Sequence, residues 1–298
     1  VVSLANTGEP LYIVNRSGNR PSEEGAPDYY ARAIARCREA GFRKIMLRGD
    51  SAFSQTKHFD RWTDENVTFV FGFDSNDKMC EYAEDADLYE TLVRKASTLL
   101  RGCRRAKQPR VKEQVVKDRG YQNLRVEREE VAEFGYQPKS CRRAYRFIAL
   151  RKTILEERGQ TLLGVHHRYF FYVTNDRTMR QREVVFEAND RCGQEKLLDQ
   201  LKNQVFALRT PLNTMEANWA YMVIVALAWS LKAWFALKLP TEGRWKAKHK
   251  AQAERVLNMG FRSFVRAFML VPAHILQHGR QLVYRLLVQL GHAPLMDK

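Results

Sequence analysis

The stretch Lys44-Ile45-Met46-Leu47-Arg48-Gly49-Asp50 decides the fold class of this chain. Residues 44–47 form a compact apolar segment typical of a strand, and the polar residues and glycine after it end that strand. Apolar residues recur at helical spacing over residues 27–41, and a second helix is predicted over residues 54–65. The continuous apolar run 67–73 is typical of a strand buried on both faces. Helices that alternate with strands predict an α/β layer.

The rest of the chain divides into a strand-rich insertion and a helical end. Cations accumulate within residues 78–176, where alternating segments predict strands at 145–150 and 169–174. After this insertion the spacing predicts helices almost throughout, ending in an amphipathic tail over residues 251–290. A hairpin is predicted before the layer, over residues 1–16.

The charge of the chain points to a polyanionic partner. The formal net charge is +16 and the sequence pI is about 9.8. Such a charge favours nucleic acid, and a basic surface without a specific partner is the alternative. The longest apolar run, residues 219–239, carries Lys232, and a charged stretch lies near it at residues 244–250. A central lysine is costly in a bilayer, so we expect a buried helix there rather than a membrane span.

Zinc and disulfide frameworks find no support in the sequence. The five cysteines are odd in number, irregularly spaced and form no Cys-x-x-Cys pair. His274 and His278 lie four residues apart on a predicted helix, but no glutamate follows the first histidine as in a zinc protease. We therefore expect a protein of a reducing cytoplasm.

Two acidic positions are candidates for metal binding. Asp50 follows a strand, and ligands of open α/β sheets bind just outside the carboxyl ends of strands. The alternative for Asp50 is a turn or N-cap aspartate before the next helix. Arg191, Glu195 and Lys202 fall on one stripe of a predicted helix, where one carboxylate and two cations could hold a metal ion beside a phosphate. A solvated ladder of ion pairs is the alternative for this stripe.

Two runs of cations in the insertion are candidates for DNA contact. They span residues 101–119 and 142–152. One such run is usually a solvated surface, whereas two in one insertion favour contact with a phosphate backbone. The candidate DNA-binding residues in these runs are Arg104, Arg105, Arg142 and Arg143.

Three blocks of the sequence resemble the DDE transposases of bacterial insertion sequences. The blocks are Leu47-Arg48-Gly49-Asp50-Ser51-Ala52-Phe53, Asn189-Asp190-Arg191-Cys192-Gly193-Gln194-Glu195 with Leu201-Lys202, and Asn218-Trp219-Ala220-Tyr221 with Leu227-Ala228-Trp229-Ser230-Leu231-Lys232-Ala233-Trp234. The end of the chain, with Phe261-Arg262-Ser263-Phe264, Val271-Pro272-Ala273 and Gly279-Arg280, is also similar to that family. The resemblance covers essentially the whole chain.

The resemblance implies a fold and its parts. The expected fold is α/β, an RNase H-like mixed sheet with helices, interrupted by a β-rich insertion and followed by an all-helical C-terminal region. Residues 1–77 would be the first part of the catalytic domain without its first strand, and residues 78–176 the basic insertion. Residues 177–215 would complete the catalytic domain with its acidic helix, and residues 216–298 would form the helical region.

The resemblance also assigns roles to the candidate residues. Asp50 matches the second catalytic acid, and Glu195 matches the third, which holds metal with it. Arg191 and Lys202 match the family's phosphate contacts around that glutamate. The family places a tyrosine where this chain has Ala188, which puts one DNA contact in doubt. The first catalytic aspartate would lie upstream of Val1, so we expect this segment alone to be inactive or very weak in cleavage.

The resemblance further implies cofactors and partners. Mg²⁺ would be the cofactor, with Mn²⁺ as a substitute, and the partners would be double-stranded DNA of the element ends and the target. A homodimer in a synaptic complex, a location in the cytoplasm at the nucleoid, and no membrane association are expected. Two alternatives remain open: a non-catalytic DNA-binding protein derived from a transposase, and an RNase H-like nuclease without strand transfer.

Overall fold

The computed structural model of the chain describes residues 1–86, 89–92, 111–159, 161–190 and 192–287. Contacts divide these residues into two compact units. We call the described residues of Ser22–Arg191 the sheet unit. We call Val1–Pro21 together with the described residues from Cys192 onward the helical unit.

The described residues form strands and α-helices in nearly equal number. The strands are β1 (Val2–Ser3), β2 (Pro10–Tyr12), β3 (Met46–Gly49), β4 (Thr68–Phe73), β5 (Glu90–Thr91), β6 (Gln122–Tyr136), β7 (Tyr145–Arg158), β8 (Thr161–Thr174), β9 (Ala273–His278) and β10 (Gln281–Leu286). The α-helices are α1 (Ala26–Glu39), α2 (Phe59–Asp64), α3 (Asp77–Glu84), α4 (Val111–Asp118), α5 (Gln181–Asn189), α6 (Cys192–Asn203), α7 (Met215–Lys238), α8 (Lys246–Leu257) and α9 (Phe261–Phe264).

The sheet unit is built around one six-stranded mixed sheet. Its strand order is β3-β4-β8-β7-β6-β5, and β3 runs parallel to β4 with Gly49 opposite Phe71. The other neighbouring strands are antiparallel. Thr174 of β8 lies opposite Val70 of β4, so the strands of the predicted insertion continue the sheet that β3 and β4 begin.

Helices cover both faces of this sheet near β4. Phe69 and Phe71 point to one face, where Trp62 of α2 contacts both rings and Tyr30 of α1 contacts Phe71. Because side chains alternate along a strand, Val70 points to the opposite face, which α5 covers. The buried cluster on that face consists of Val70, Leu92, Val131, Ile148, Leu150, Val184, Val185 and Ala188. The sheet is therefore sandwiched between helices, as in the α/β class.

The helical unit has its own core. The hairpin of β1 and β2 packs against α6 and α7, and the buried cluster there comprises Ile13, Leu197, Leu201, Ala207, Met222, Ala226, Trp229 and Ala233. A second cluster of Ala236, Val256 and Phe264 joins α7, α8 and α9.

Helix α7 matches the apolar run of the sequence. It is long and apolar enough to cross a membrane by length and composition, and it is the one such helix within the described ranges. Lys232, near its C-terminal end, is only 1% exposed inside the helical unit. The expectation of a buried helix is met on one side only, because Ile224, Leu227 and Leu231 are 65%, 51% and 51% exposed and only 39% of the most apolar stretch of α7 is buried.

The mixed α/β fold with a helical C-terminal region is confirmed. The initial hairpin is present, and the predicted strands at 44–47 and 67–73 correspond to β3 and β4. The two strands predicted in the insertion are longer than expected, since β7 continues to Arg158 and β8 already begins at Thr161. The division of the chain into four parts at residues 77, 176 and 215 stays a prediction.

The helical prediction for the end of the chain is wrong in one place. Residues 251–290 were expected to be an amphipathic helix throughout, but β9 and β10 form an antiparallel hairpin. Gly279 and Arg280 make a two-residue turn in which Gly279 adopts φ of +59°, a conformation that glycine favours. His274 and His278 therefore lie on a strand rather than on a helix.

Candidate functional site

Asp50 lies directly after β3 and caps the turn that follows. Its Oδ1 accepts a hydrogen bond of 2.8 Å from the amide of Ser51, at the start of a short 3₁₀ turn over Ser51–Phe53. The residue itself is exposed. The capping role that the sequence left open is thus real, and it is compatible with metal binding because a carboxylate can accept several interactions at once.

Two glycines let the Asp50 turn approach the neighbouring strand. A Cβ added to Gly49 would come within 2.9 Å of the Cβ of Phe53 and 3.0 Å of the Phe71 ring. A Cβ added to Gly72 would come within 3.0 Å of the Ser51 amide nitrogen. Both positions need glycine because backbone and rings crowd them. The position of Asp50 is therefore determined by close packing of β3 on β4.

A second acid shares this edge of the sheet. Because β3 and β4 are parallel neighbours, their carboxyl ends lie at the same edge, and Asp74 directly follows β4. Asp74 is exposed, like Asp50. Sequence reasoning missed this residue, although the acid after the predicted strand 67–73 was the available signal.

Arg48 connects β3 to the end of α5. Its guanidinium donates to Glu187 Oε1 at 2.8 Å and to Asp190 Oδ2 at 3.0 Å. The Arg48 side chain is only 16% exposed. A cation at a helix C-terminus also interacts favourably with the helix dipole. Arg48 thereby fixes the strand that ends at Asp50 against the chain segment that precedes α6.

Glu195 and Lys202 lie together on the exposed side of α6. Leu197 and Leu201 bury the opposite side of this helix in the core of the helical unit. Gln200 Oε1 holds the helix further, since it accepts hydrogen bonds from the Trp229 indole at 3.3 Å and the Phe261 amide at 3.0 Å. Because the leucine side of α6 is packed, Glu195 and Lys202 on the opposite side face solvent.

The ladder of ion pairs stays an open alternative, because only two of the three residues of the stripe lie in the part of the chain that the structure describes. Neither Glu195 nor Lys202 forms an ion pair there. Arg191, the remaining member of the stripe, lies outside the described residues. Ala188, which stands at the family's tyrosine position, is 4% exposed and packs in the α5 cluster.

The cations predicted to contact DNA have different environments. Arg104 and Arg105 lie outside the described residues. Arg142 and Arg143 both pair with Asp64 of α2, at 2.8 and 2.6 Å, and both also approach Asp60. These two arginines therefore help to hold the loop before β7 against α2.

Asp60 lies at the centre of this ion-pair cluster. It accepts hydrogen bonds from the Arg142 amide at 2.6 Å and the Tyr145 hydroxyl at 2.8 Å. Desolvation would raise the pKa of Asp60, but these hydrogen bonds and the guanidiniums of Arg142 and Arg143 hold it below its ordinary value. Asp60 is therefore a structural carboxylate.

The exposed acids suit a hard divalent cation only in part. Carboxylate oxygens are the ligands that Mg²⁺ and Mn²⁺ prefer. Asp50 and Asp74 offer such oxygens in the sheet unit, and Glu195 offers them in the helical unit. Among the residues that the structure describes, no group of three or more histidine, cysteine or acidic residues could hold an ion. The donor chemistry fits the metal, while each unit by itself supplies an incomplete ligand set.

Comparison with protein families gives a match over most of the chain. A family model described as "Transposase DDE domain group 1" matches residues 4–260. The matched region includes Asp50, Glu195 and Lys202, together with the strands between the two acids. A comparison of the sequence with curated proteins finds no match.

Proposed function

This chain belongs to the transposase DDE domain group 1 family, and from that premise we propose that it is the transposase of an insertion sequence. The proposed reaction is hydrolysis of a phosphodiester bond at the ends of the element, followed by strand transfer of the freed 3′ hydroxyl into target DNA. The observation that carries the proposal is the family match over most of the chain, with an exposed acid at the end of β3 and another on α6.

Asp50 and Glu195 are the proposed metal-ligating acids. Mg²⁺, with Mn²⁺ as a substitute, would supply activation of the attacking oxygen and stabilisation of the leaving oxygen. The contribution of the chain is positional: Gly49 and Gly72 allow the Asp50 turn to pack closely, and Leu197 orients α6 so that Glu195 stays exposed. A metal site needs carboxylates that are held on rigid elements, and this packing supports the assignment of the two acids.

The cations would hold the DNA strand. Lys202 lies on the same exposed side of α6 as Glu195, which supports its proposed contact with a phosphate near the scissile bond. Arg191 is proposed to make the second such contact. Arg104, Arg105, Arg142 and Arg143 are proposed to contact the DNA backbone more remotely, the last two while paired with Asp64.

The assembly and location follow from this reaction. Both element ends must be cut in a coordinated way, so we propose a homodimer in a synaptic complex. The substrate is chromosomal DNA, so the proposed location is the cytoplasm at the nucleoid.

The test compares two substitutions on one helix. Glu195→Gln removes the proposed ligand, and Asp199→Asn is the matched control, because Asp199 is also exposed on α6 and accepts a hydrogen bond from Asn203 at 2.7 Å. The full-length protein is incubated with labelled end DNA and Mg²⁺ or Mn²⁺. We expect Glu195→Gln to abolish cleavage with end binding nearly intact, and Asp199→Asn to cut like the wild type.

The outcomes separate the competing functions. Cleavage that survives in Glu195→Gln would exclude Glu195 as a ligand. DNA binding without metal-dependent cleavage by the wild type would favour a non-catalytic DNA-binding protein. Cleavage without joining of the 3′ hydroxyl product to target DNA would favour a nuclease.

A further inference from the structure

The start of α9 is capped by side chains from α6 and from the residue that follows α6. Gly260 precedes α9 and has no side chain that could accept a hydrogen bond. The Phe261 amide donates instead to Gln200 Oε1 at 3.0 Å. The Arg262 amide donates to Gln204 Oε1 at 2.9 Å. Because the first amides of a helix have no partner within it, these two oxygens take the place of an N-cap. We call Gln200 and Gln204 the glutamine clamp.

The capping between α6 and α9 is mutual. The Arg262 guanidinium donates to the carbonyl oxygen of Asn203, the last residue of α6, at 3.2 Å. A cation in this position satisfies a carbonyl that the end of a helix leaves without a partner. Gln200 Oε1 also accepts a hydrogen bond from the Trp229 indole of α7 at 3.3 Å. The end of α6 is therefore tied to two other helices of the helical unit.

The turn before α9 is held through its carbonyls as well. The buried Lys232 Nζ of α7 donates to the carbonyl oxygens of Leu257 at 2.9 Å and Met259 at 2.6 Å. The same turn thus offers carbonyls to α7 and amides to the glutamine clamp. Hydrogen bonds are directional, whereas apolar packing is not. This network therefore fixes how far α6 is rotated about its axis and shifted along it.

The glutamine clamp lies on the side of α6 opposite Glu195. At 100° per residue, Gln200 is about 140° and Gln204 about 180° around the helix from Glu195. Leu197 and Leu201 are buried on the same side as the clamp. A rotation of α6 by about 10° would move a group about 6 Å from the axis by about 1 Å. The clamp therefore determines where the Glu195 carboxylate lies.

We propose that the glutamine clamp positions Glu195 for metal binding, so that Gln200 and Gln204 are positioning residues of the proposed reaction. The inference rests on the proposed function and adds residues that lie on the far side of α6 from the acid. A displacement of about 1 Å can cost about 100-fold in rate. Loss of the clamp should therefore reduce cleavage under conditions in which the protein is still folded.

The hydrogen-bond pattern provides a conservative substitution. The three hydrogen bonds that reach the clamp end on side-chain oxygens. Glutamate offers the same acceptor as glutamine, whereas methionine keeps the length of the side chain and loses the acceptor. We therefore compare Gln200→Met with Gln200→Glu. The matched control is Gln252→Met on α8, because Gln252 makes no side-chain hydrogen bond to the residues that the structure describes.

The first measurement is hydrogen exchange of the full-length protein without metal or DNA. We expect the amides of α6 and α9 to exchange about 10-fold faster in Gln200→Met than in the wild type. Gln200→Glu should recover most of the protection, and Gln252→Met should leave α6 and α9 as they are. Unchanged exchange of both helices in Gln200→Met would overturn the clamp.

The second measurement is the Mn²⁺ concentration that gives half-maximal cleavage of labelled end DNA. We expect it to rise about 10- to 100-fold in Gln200→Met, and Gln200→Glu to recover most of the wild-type value. Gln204→Met should shift it in the same direction by less, and it replaces Gln200→Met if that variant does not fold. A purely structural role would lower cleavage equally at all Mn²⁺ concentrations, which would overturn the positioning role.

The failures of the two proposals can be distinguished. Wild-type protein that does not cut end DNA would overturn the proposed function and this inference with it. Wild-type cleavage with the same Mn²⁺ requirement in Gln200→Met and Gln204→Met would overturn only the positioning role. A Gln200→Glu variant that behaves like Gln200→Met would also overturn it, because the acceptor would then be irrelevant.

Discussion

Lys232→Met is expected to change how the stability of the protein depends on pH. Lys232 is 1% exposed, donates to two carbonyl oxygens at the end of α8 and lies 4.6 Å from the Trp229 ring. Burial lowers the pKa of Lys232 to about 8 from its ordinary 10.5. Methionine keeps the length and volume of the side chain but removes the charge and the donors.

The expected magnitude has two opposing parts. Hydrogen bonds from a charged donor contribute about 1.5–3 kcal/mol each, so losing both costs about 3–6 kcal/mol. The lowered pKa means that desolvation of the charge costs about 3 kcal/mol near neutral pH, and methionine removes that cost. Near pH 7 the net loss in the free energy of unfolding should therefore be about 2 kcal/mol.

The sign of the pH dependence follows from proton binding. The folded-state pKa of Lys232 lies below the unfolded value, so between pH ~8 and ~10.5 the folded state binds fewer protons and stability rises with pH. The wild type should gain about 2 kcal/mol between pH ~7 and ~9.5 from this group, and Lys232→Met should not.

Urea unfolding of both proteins at a series of pH values measures this difference. Lys238→Met is the control, because Lys238 is exposed on the same helix and should change stability little. The reasoning is refuted if the stability gap between wild type and Lys232→Met stays constant over this pH range, or if Lys238→Met reproduces the gap.

Three further substitutions test the sheet unit. Arg48→Met should lower the free energy of unfolding by about 1–2 kcal/mol, because it removes the paired guanidinium at the end of α5. A decrease smaller than about 0.3 kcal/mol would exclude this role of Arg48. Gly72→Ala should displace the Asp50 turn and reduce DNA cleavage. Gly135→Ala is the control and should cut normally, because a Cβ added there meets no atom within 4 Å. Equal cleavage by the two variants would contradict the argument from close packing. Asp60→Asn should destabilise the protein by about 1–3 kcal/mol at neutral pH. This loss should shrink as the pH falls below 3.8, through the lowered pKa of Asp60, and a loss constant with pH would show that its charge is irrelevant.

Short-range sequence patterns were enough to predict the strands and helices whose residues show a clear apolar spacing. The strand that ends at Asp50 and the apolar run after it are recognisable because buried strands are short, apolar and bounded by turn residues. The outer halves of β7 and β8 were missed, because residues such as Lys152 and Glu156 there do not continue the apolar alternation. The final hairpin was missed because an apolar segment of this length fits both a helix and a strand.

Contacts between distant positions could not be predicted from spacing. Arg48 pairs with Glu187, 139 positions away, and Arg142 pairs with Asp64, 78 positions away. Only the folded sheet unit brings these charges together, so a cation run that resembled an open DNA surface proved to be partly engaged with α2. Asp50 and Glu195 could be named as candidates from the sequence because each lies at a position with its own local signal, a strand end and a helical stripe.

Metal binding by the two proposed ligands, Asp50 and Glu195, can be measured directly in the protein–DNA complex. Fe²⁺ can replace Mg²⁺ at carboxylate sites, and with ascorbate and peroxide it cleaves the protein backbone near its ligands. We expect the full-length protein bound to end DNA to be cut near residues 50 and 195, the first cut to disappear in Asp50→Asn and the second in Glu195→Gln. Cuts at only one of these positions, or a cut that persists in the variant of its own ligand, would contradict the assignment of the two ligands.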